Sequence, residues 1–353
     1  MSEIPKKIKL ILSKIKTSKF QEIQYSPYVD GVTQSLLGSW MNCRMHSRNT
    51  LKGYRLKRPN DAFLYGSCTH YLHEMLIDKI IYNIKKNESN SEIYFRNLTN
   101  IKLWVAEHLR NFAKTYPDYR LFEPQKAEDL CSDAAVIFCY YIKSQIKILE
   151  KLKWIKAEHK FNVPFNANGP GNYPTEKPII LRGMIDGVFR NPKTNKLWLL
   201  ETKTKSRMNE DTLMDTLMAD FQSFVYMIAI HELYGEYPAG VLYNVLRKPC
   251  LRRKKDESID SFGKRIEEDV NVRTGFYFVQ FNISVNSTDI QNFEIEFRRI
   301  LSEFVRWWEN GDQFEWKNRE YCENKYGCCP FLSLCTHGDT SGYRISELFP
   351  ELA

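Results

Sequence analysis

Residues 182–203 constrain the fold of this chain more than any other stretch. Arg182-Gly-Met-Ile-Asp186 and Leu199-Leu-Glu201-Thr-Lys203 read as two strands. Between them Asn191-Pro-Lys-Thr-Asn-Lys196 is dense in turn formers that can reverse the chain. Strand side chains alternate faces, so Glu201 and Lys203 point one way and Thr202 points back into the fold. Asp186 follows Met184-Ile185, and Glu201 follows Leu197-Trp-Leu-Leu200. Both carboxylates therefore emerge from apolar strands. Two carboxylates and a lysine on one sheet face form a site for a hard divalent cation and a water to be activated.

The surrounding pattern predicts an α/β core with a central mixed sheet flanked by helices. Strand signals begin near Lys160-Phe-Asn-Val-Pro164 and recur at Gly240–Arg247 and Phe276–Phe281. Helices are expected over 66–86, 101–114, 124–152 and from about Asp211 to Tyr234. Ser287 or Thr288 is expected to cap a long helix ending near Gly311 and carrying Arg306-Trp-Trp308. Four regions follow: a basic arm over 1–30, a mainly helical region over 31–155, the core over 156–312 and a cysteine-rich segment over 313–353. In the arm, Ile8, Ile11, Leu12 and Ile15 suit a surface helix or a partly disordered tail.

With 353 residues, 43% of them hydrophobic, the chain can bury a sizeable core. Its net charge of +8 suits an anionic partner. Arg247, Lys248 and the run Arg252-Arg-Lys-Lys255 are the basic residues best suited to phosphate contact. Trp307 and Trp308 read as core and not as stacking platforms. No apolar run is long enough to span a bilayer, so no membrane partner and a cytoplasmic location are expected. No Gly-x-x-x-x-Gly-Lys-Ser/Thr loop is present, so ATP binding on this chain is not expected.

Two further groups join the hairpin. Gln222-Ser-Phe-Val-Tyr226 places a glutamine and a tyrosine on one helix face. Gly66-Ser-Cys-Thr-His70-Tyr-Leu-His-Glu74 places His70 and Glu74 one turn apart at a helix start. Nine cysteines in an intracellular chain do not read as a disulfide framework. Cys322, Cys328, Cys329 and Cys335 crowd near the C-terminus, which is a metal-site signal; Cys68, Cys131, Cys139 and Cys250 read as structural.

The order Gly-x-x-x-His, Gly-x-Ile-Asp, Glu-x-Lys, Gln-x-x-x-Tyr resembles the RecB-like branch of the PD-(D/E)xK nuclease superfamily, whose core is restriction-endonuclease-like. The resemblance runs from about residue 35 to residue 335. It extends to members that carry a [4Fe–4S] cluster, among them CRISPR-associated nucleases and AddB-type subunits. These use one cysteine before the Gly-x-x-x-His motif and three near the C-terminus. Cys43, Cys322, Cys329 and Cys335 match that pattern, with Cys328 the alternative to Cys329; the family's Cys-x-x-Cys opening is absent. Four thiolates could equally hold a structural Zn²⁺.

The resemblance and the ligand chemistry together imply roles. His70, Asp186, Glu201 and the Thr202 carbonyl would bind Mg²⁺ or Mn²⁺. Lys203 would orient or help deprotonate the attacking water and neutralise the scissile phosphate. Gln222 and Tyr226 would position the substrate strand or Lys203, and Glu74 would support His70. The function implied is a metal-dependent DNA nuclease, an exonuclease by resemblance, in recombination, repair or phage DNA processing. A recombination or helicase partner on another chain would suit it, in a bacterial cell or a phage-infected host. The alternatives are a non-catalytic DNA-binding or assembly subunit and a structure-specific endonuclease.

Overall fold

Five strands pair into one mixed sheet in the computed structural model, which describes residues 25–86, 91–206, 215–310, 316–324 and 327–352. The strands are β1 (Lys153–Phe165), β2 (Ile179–Arg190), β3 (Leu197–Lys205), β4 (Gly240–Arg247) and β5 (Phe278–Ser284), side by side in that order. β1/β2, β2/β3 and β4/β5 are antiparallel, and β3/β4 is parallel. The parallel step needs a crossover, and helix α6 (Phe221–Tyr234) provides it. The turn expected at 191–196 forms. Asn191 Oδ1 accepts from the Lys193 and Thr194 amides, and Asn195 takes a left-handed φ of +57°.

Strand alternation sorts the core into two layers. Leu197, Leu199 and Val241 pack with α6, with α1 (Gln34–Asn42) and with α8 (Ser287–Asn310). Leu246 and Phe278 face the other way, toward α3 (Asp61–Lys86), α4 (Leu98–Thr115), α5 (Pro124–Leu149) and α7 (Ile259–Val272). Leu200, next to Leu199, likewise meets Ile77 of α3. A fully buried Leu or Ile contributes about 1.5–3 kcal/mol, so these layers hold the sheet from both sides. The fold is thus α/β, with a five-stranded mixed sheet flanked by helices. A second, two-stranded pairing joins Tyr54–Leu56 to Tyr343–Ile345 and ties the N-terminal helices to the C-terminal segment.

Several boundaries differ from expectation. α3 begins at Asp61, so His70 lies in the helix interior and not at its start. α6 begins at Phe221, where Asp220 Oδ2 accepts from the Ser223 amide at 3.0 Å; a separate helical turn occupies 215–218. Residues 207–214, where that helix was expected to start, lie outside the described residues, as do residues 1–24 of the basic arm and Gly311. β5 begins at Phe278 because Thr274–Tyr277 forms a helical turn. Asn286 caps α8 in place of Ser287 or Thr288, its Oδ1 accepting from the Asp289 amide at 2.8 Å. Trp307 is buried in the core as expected. Among the described residues no helix is long and apolar enough to cross a membrane.

Candidate functional site

The sheet forks where the acidic residues sit. β2 and β3 pair from Arg190↔Leu197 to Gly187↔Leu200 and then part. Asp186 and Glu201 are the next residue on each strand. Beyond them β2 continues against β1, and its free edge takes a parallel bridge from Val32 to Leu181. β3 continues against β4. The Thr202 amide, released from β2, donates to Asp186 Oδ2 at 2.5 Å. The fork therefore trades a ladder bond for a carboxylate held by backbone.

The interior of α3 delivers His70 to this fork. Its Nδ1 lies 3.2 Å from Asp186 Oδ1 and 3.9 Å from Glu158 Oε1. His70, Glu158 and Asp186 bring three ligand atoms within 4.8 Å of one another, a spacing that can hold a metal ion. Glu158 was not anticipated from the sequence. It lies on β1 between Ala157↔Gly187 and His159↔Ile185, across from Asp186. Its φ of +39° is unusual for a residue with a side chain. Of the four expected ligands, His70 and Asp186 join this group and Glu201 does not. Glu201 accepts at Oε1 from Gln222 Nε2 at 3.0 Å and pairs there with the Lys203 ammonium. Lys203 Nζ also donates to Gln222 Oε1 at 3.1 Å, so Lys203, Glu201 and Gln222 form a closed triangle. Tyr226, one turn on, is buried and hydrogen-bonded to Gln222.

Glycine in Gly183-Met-Ile-Asp186 has a steric cause. A Cβ at 183 would meet Phe161 Cζ at 2.5 Å and Tyr226 Cε1 at 3.3 Å. Gly66 shows no such need, since a Cβ there would make an ordinary 3.7 Å contact with Thr204. The charge of Glu74 is felt at Glu158, and its own carboxyl is raised by burial and by Asp78.

Electrostatics follow from crowding three carboxylates under cover. Burial raises Glu158 to about 9, with the charge of Asp186 adding to it. Burial likewise raises Glu201 to about 7 against the pull of Lys203. Burial opposes ionisation of Asp186, but His70, Lys203 and the Thr202 amide outweigh it and hold the carboxyl low. Burial would lower His70; Asp186 and Glu158 reverse that and hold it at about 9. Lys203 is raised in the same way, its burial outweighed by Glu201 and Asp186. Two carboxyls raised by burial and by a neighbouring carboxylate mark a site where a bound cation would favour their ionised forms. Hard oxygen donors plus one imidazole fit Mg²⁺ or Mn²⁺.

The cysteines separate into two sets. Cys43, between α1 and α2 (Arg44–Leu51), is buried, and its charge is felt at both Cys329 and Cys335. Cys322 acts on the same two thiols. Cys43, Cys322, Cys329 and Cys335 thus share one neighbourhood, whereas Cys328 is exposed in a two-residue hairpin opposite Glu323. The Cys329 amide donates to the Cys322 carbonyl at 2.8 Å, and Asn49 Nδ2 donates to Cys335 Sγ at 3.5 Å. Four thiols from three chain segments fit a [4Fe–4S] cluster. Four thiolates would equally suit a tetrahedral zinc site. Cys68, Cys131 and Cys139 are buried, and Cys250 is exposed.

Basic residues gather where β3 and β4 end. Lys248 lies over the Tyr65 ring at 4.6 Å, and Lys205 over Tyr243 at 5.8 Å. Arg252, Lys254 and Lys255 are exposed, and Arg253 pairs with Asp129 at 2.9 Å. Arg247, read as suited to phosphate contact, is buried with its guanidinium 4.3 Å from the Phe276 ring centre.

A scan against protein-family models found no match, and a search of curated proteins found none.

Proposed function

We propose that this chain is a metal-dependent deoxyribonuclease of the RecB-like PD-(D/E)xK kind that also carries a [4Fe–4S] cluster. The observation that carries the reading is the fork. Its arms present Asp186 and the Glu201-x-Lys203 pair, α3 adds His70, and α6 adds Gln222 and Tyr226. An antiparallel three-strand meander followed by a crossover helix and a parallel strand supports the same reading.

His70, Glu158 and Asp186 would hold Mg²⁺ or Mn²⁺, with Glu201 and the Thr202 carbonyl adjoining. The ion would supply a bound water of lowered pKa and a counter-charge for the phosphate. Lys203 is raised well above its ordinary range. As an ammonium it would orient the water and neutralise the phosphate. Gln222 holds Lys203 and Glu201 in register, and Tyr226 backs Gln222. Lys205, Lys248, Arg252, Lys254 and Lys255 would contact DNA phosphates along the exit of β3 and β4. Cys43, Cys322, Cys329 and Cys335 would bind the cluster, in a structural role. The preference for ends rests on the family resemblance alone, as does a place in recombination, repair or phage DNA processing.

The test is cleavage of end-labelled linear and of circular DNA by the purified protein with Mg²⁺, Mn²⁺ or EDTA. Loss of linear but not circular DNA, abolished by EDTA and by Asp186→Asn, is expected. Cleavage that persists in EDTA, or that Asp186→Asn leaves intact, would overturn the assignment.

A further inference from the structure

A chain of buried polar groups runs beneath the fork, on the face away from Glu201 and Lys203. His73 lies one turn beyond His70 on α3. Its Nε2 is 3.0 Å from the Tyr141 hydroxyl on α5. Asn244 of β4 donates from Nδ2 to that hydroxyl at 2.9 Å and to Thr202 Oγ1 at 3.4 Å. Gln280 of β5 donates to Asn244 Oδ1 at 3.3 Å, which fixes the orientation of the amide. Asn244 uses its amide protons on Tyr141 and Thr202, so the Tyr141 hydroxyl proton is left for His73. His73, Tyr141, Asn244 and Thr202 are all buried, the last three completely or nearly so.

Such a chain is costly unless every member is satisfied, since an unpaired buried polar group loses its hydration without compensation. Its members come from four elements, and its ends coincide with the two halves of the candidate metal site. At one end α3 carries His70. At the other Thr202 holds Asp186 through its backbone amide, and Asp186 meets His70 at 3.2 Å. The hydrogen bonds and one turn of α3 therefore close a ring: His70, Asp186, Thr202, Asn244, Tyr141, His73. Burial keeps His73 neutral, at about 4, as the accepting end of this ring requires.

We infer that His73, Tyr141 and Asn244 are positioning residues that set the distance between His70 and the Asp186–Thr202 arm, and so tune affinity for the divalent ion. The inference rests on the metal-dependent reading of the fork. None of the three touches the ion or substrate; they act through Thr202 and through α3. A supporting shell of this kind is typically worth about 10–100-fold in metal affinity.

The test compares wild type, Tyr141→Phe, Thr202→Val and the double variant by Mn²⁺ binding, read as loss of the free-ion electron-spin signal. Folding is followed by circular dichroism at the same temperature. Thr202→Val keeps the backbone amide and carbonyl and deletes only the relay hydroxyl. Each single variant is expected to weaken Mn²⁺ binding about tenfold while remaining folded, with the double variant no weaker than the worse single. Wild-type affinity in a folded Tyr141→Phe protein, even one with a lowered melting temperature, would reduce the chain to a structural role and overturn the inference. Should Tyr141→Phe not fold, wild-type affinity in Thr202→Val overturns it equally. Multiplying effects in the double variant would also overturn it. Wild-type protein that binds Mn²⁺ but never cuts DNA would sink the nuclease reading, while the affinities still decide the relay.

Discussion

Lys203→Met is the substitution that most directly examines the fork. It keeps the length of the side chain and deletes the ammonium. That ammonium makes two contacts, one to Glu201 Oε1 and one to Gln222 Oε1 at 3.1 Å. Removing a fixed positive group aimed at developing charge in a buried site costs about 10²–10³ in rate, or about 2.7–4 kcal/mol. Gln222→Leu removes no charge, only its hydrogen bonds to the Lys203 ammonium and the Glu201 carboxyl, so its loss should be smaller, about 10–100-fold. DNA affinity should change little in either case. Lys203 is one cation among several along the strand ends, and each phosphate contact contributes only about one unit of salt slope. Stability bears a second cost. Glu201 loses its partner, but its carboxyl already stands at about 7 and can take up a proton, so the penalty should stay near about 1–3 kcal/mol. The assay is single-turnover cleavage with Mn²⁺, paired with DNA binding by fluorescence anisotropy in Ca²⁺ and with thermal melts. A folded Lys203→Met protein that cuts within about threefold of wild type would refute the placement of Lys203 in the chemistry. So would a fall in binding that accounts for the whole loss of rate.

The remaining expectations concern the cysteines and pH. Cys335→Ser should lose iron and broad visible absorbance and melt earlier, whereas Cys328→Ser should keep both; equal iron content in the two variants would break the ligand assignment. Asp133 on α5 offers a pH readout remote from the fork. Burial and the charge of Asp129 hold its carboxyl at about 7, against Arg253, while an unfolded Asp titrates near about 3.9. Between those values the unfolded chain has released a proton that the folded chain retains, so this group's stabilisation, full below about pH 4, is lost as pH rises to about 7. Asp133→Asn should therefore gain stability over wild type across that window and hold a constant gain above it. Thermal melts at several pH values would show this, and a gain independent of pH would contradict it.

The hairpin was legible in the sequence because strand alternation alone fixes which side chains share a face. Glu201 and Lys203 do meet, and Thr202 does turn inward to Asn244. Glu158 was not legible. Strand signals begin near Lys160, and nothing local marks a glutamate with φ of +39°. Its relevance comes from lying across β1 and β2 from Asp186. The choice between Cys328 and Cys329 likewise depends on a tertiary detail, the small hairpin that turns Cys328 outward. Asn244 and Tyr141 are separated by 103 positions, and no spacing rule links them. Arg247 stands in a basic stretch, yet as the last residue of a strand buried along its whole length it lies in the interior against the Phe276 ring.

The two proposed centres of this molecule are mechanically joined. Val32 bridges the free edge of β2, its amide donating to the Ile180 carbonyl at 2.7 Å while the Arg182 amide donates back to its carbonyl at 3.0 Å. The next residue, Thr33, caps α1, and α1 runs without interruption to Cys43. Trp40 of α1 packs against Phe304 and Trp307 of α8, so the helix is held as a rigid strut. Arg182 also donates to the carbonyls of Asp30 and of Leu352 in the C-terminal tail, four residues before Asp186. A cluster bound at Cys43, Cys322, Cys329 and Cys335 would thus fasten one end of a brace whose other end lies on the arm of the fork that carries Asp186. Loss of that cluster should reach the hydrolytic site by releasing β2, with none of its ligands removed. The two centres are therefore expected to fail together on iron removal, and separately when Asp186 is replaced.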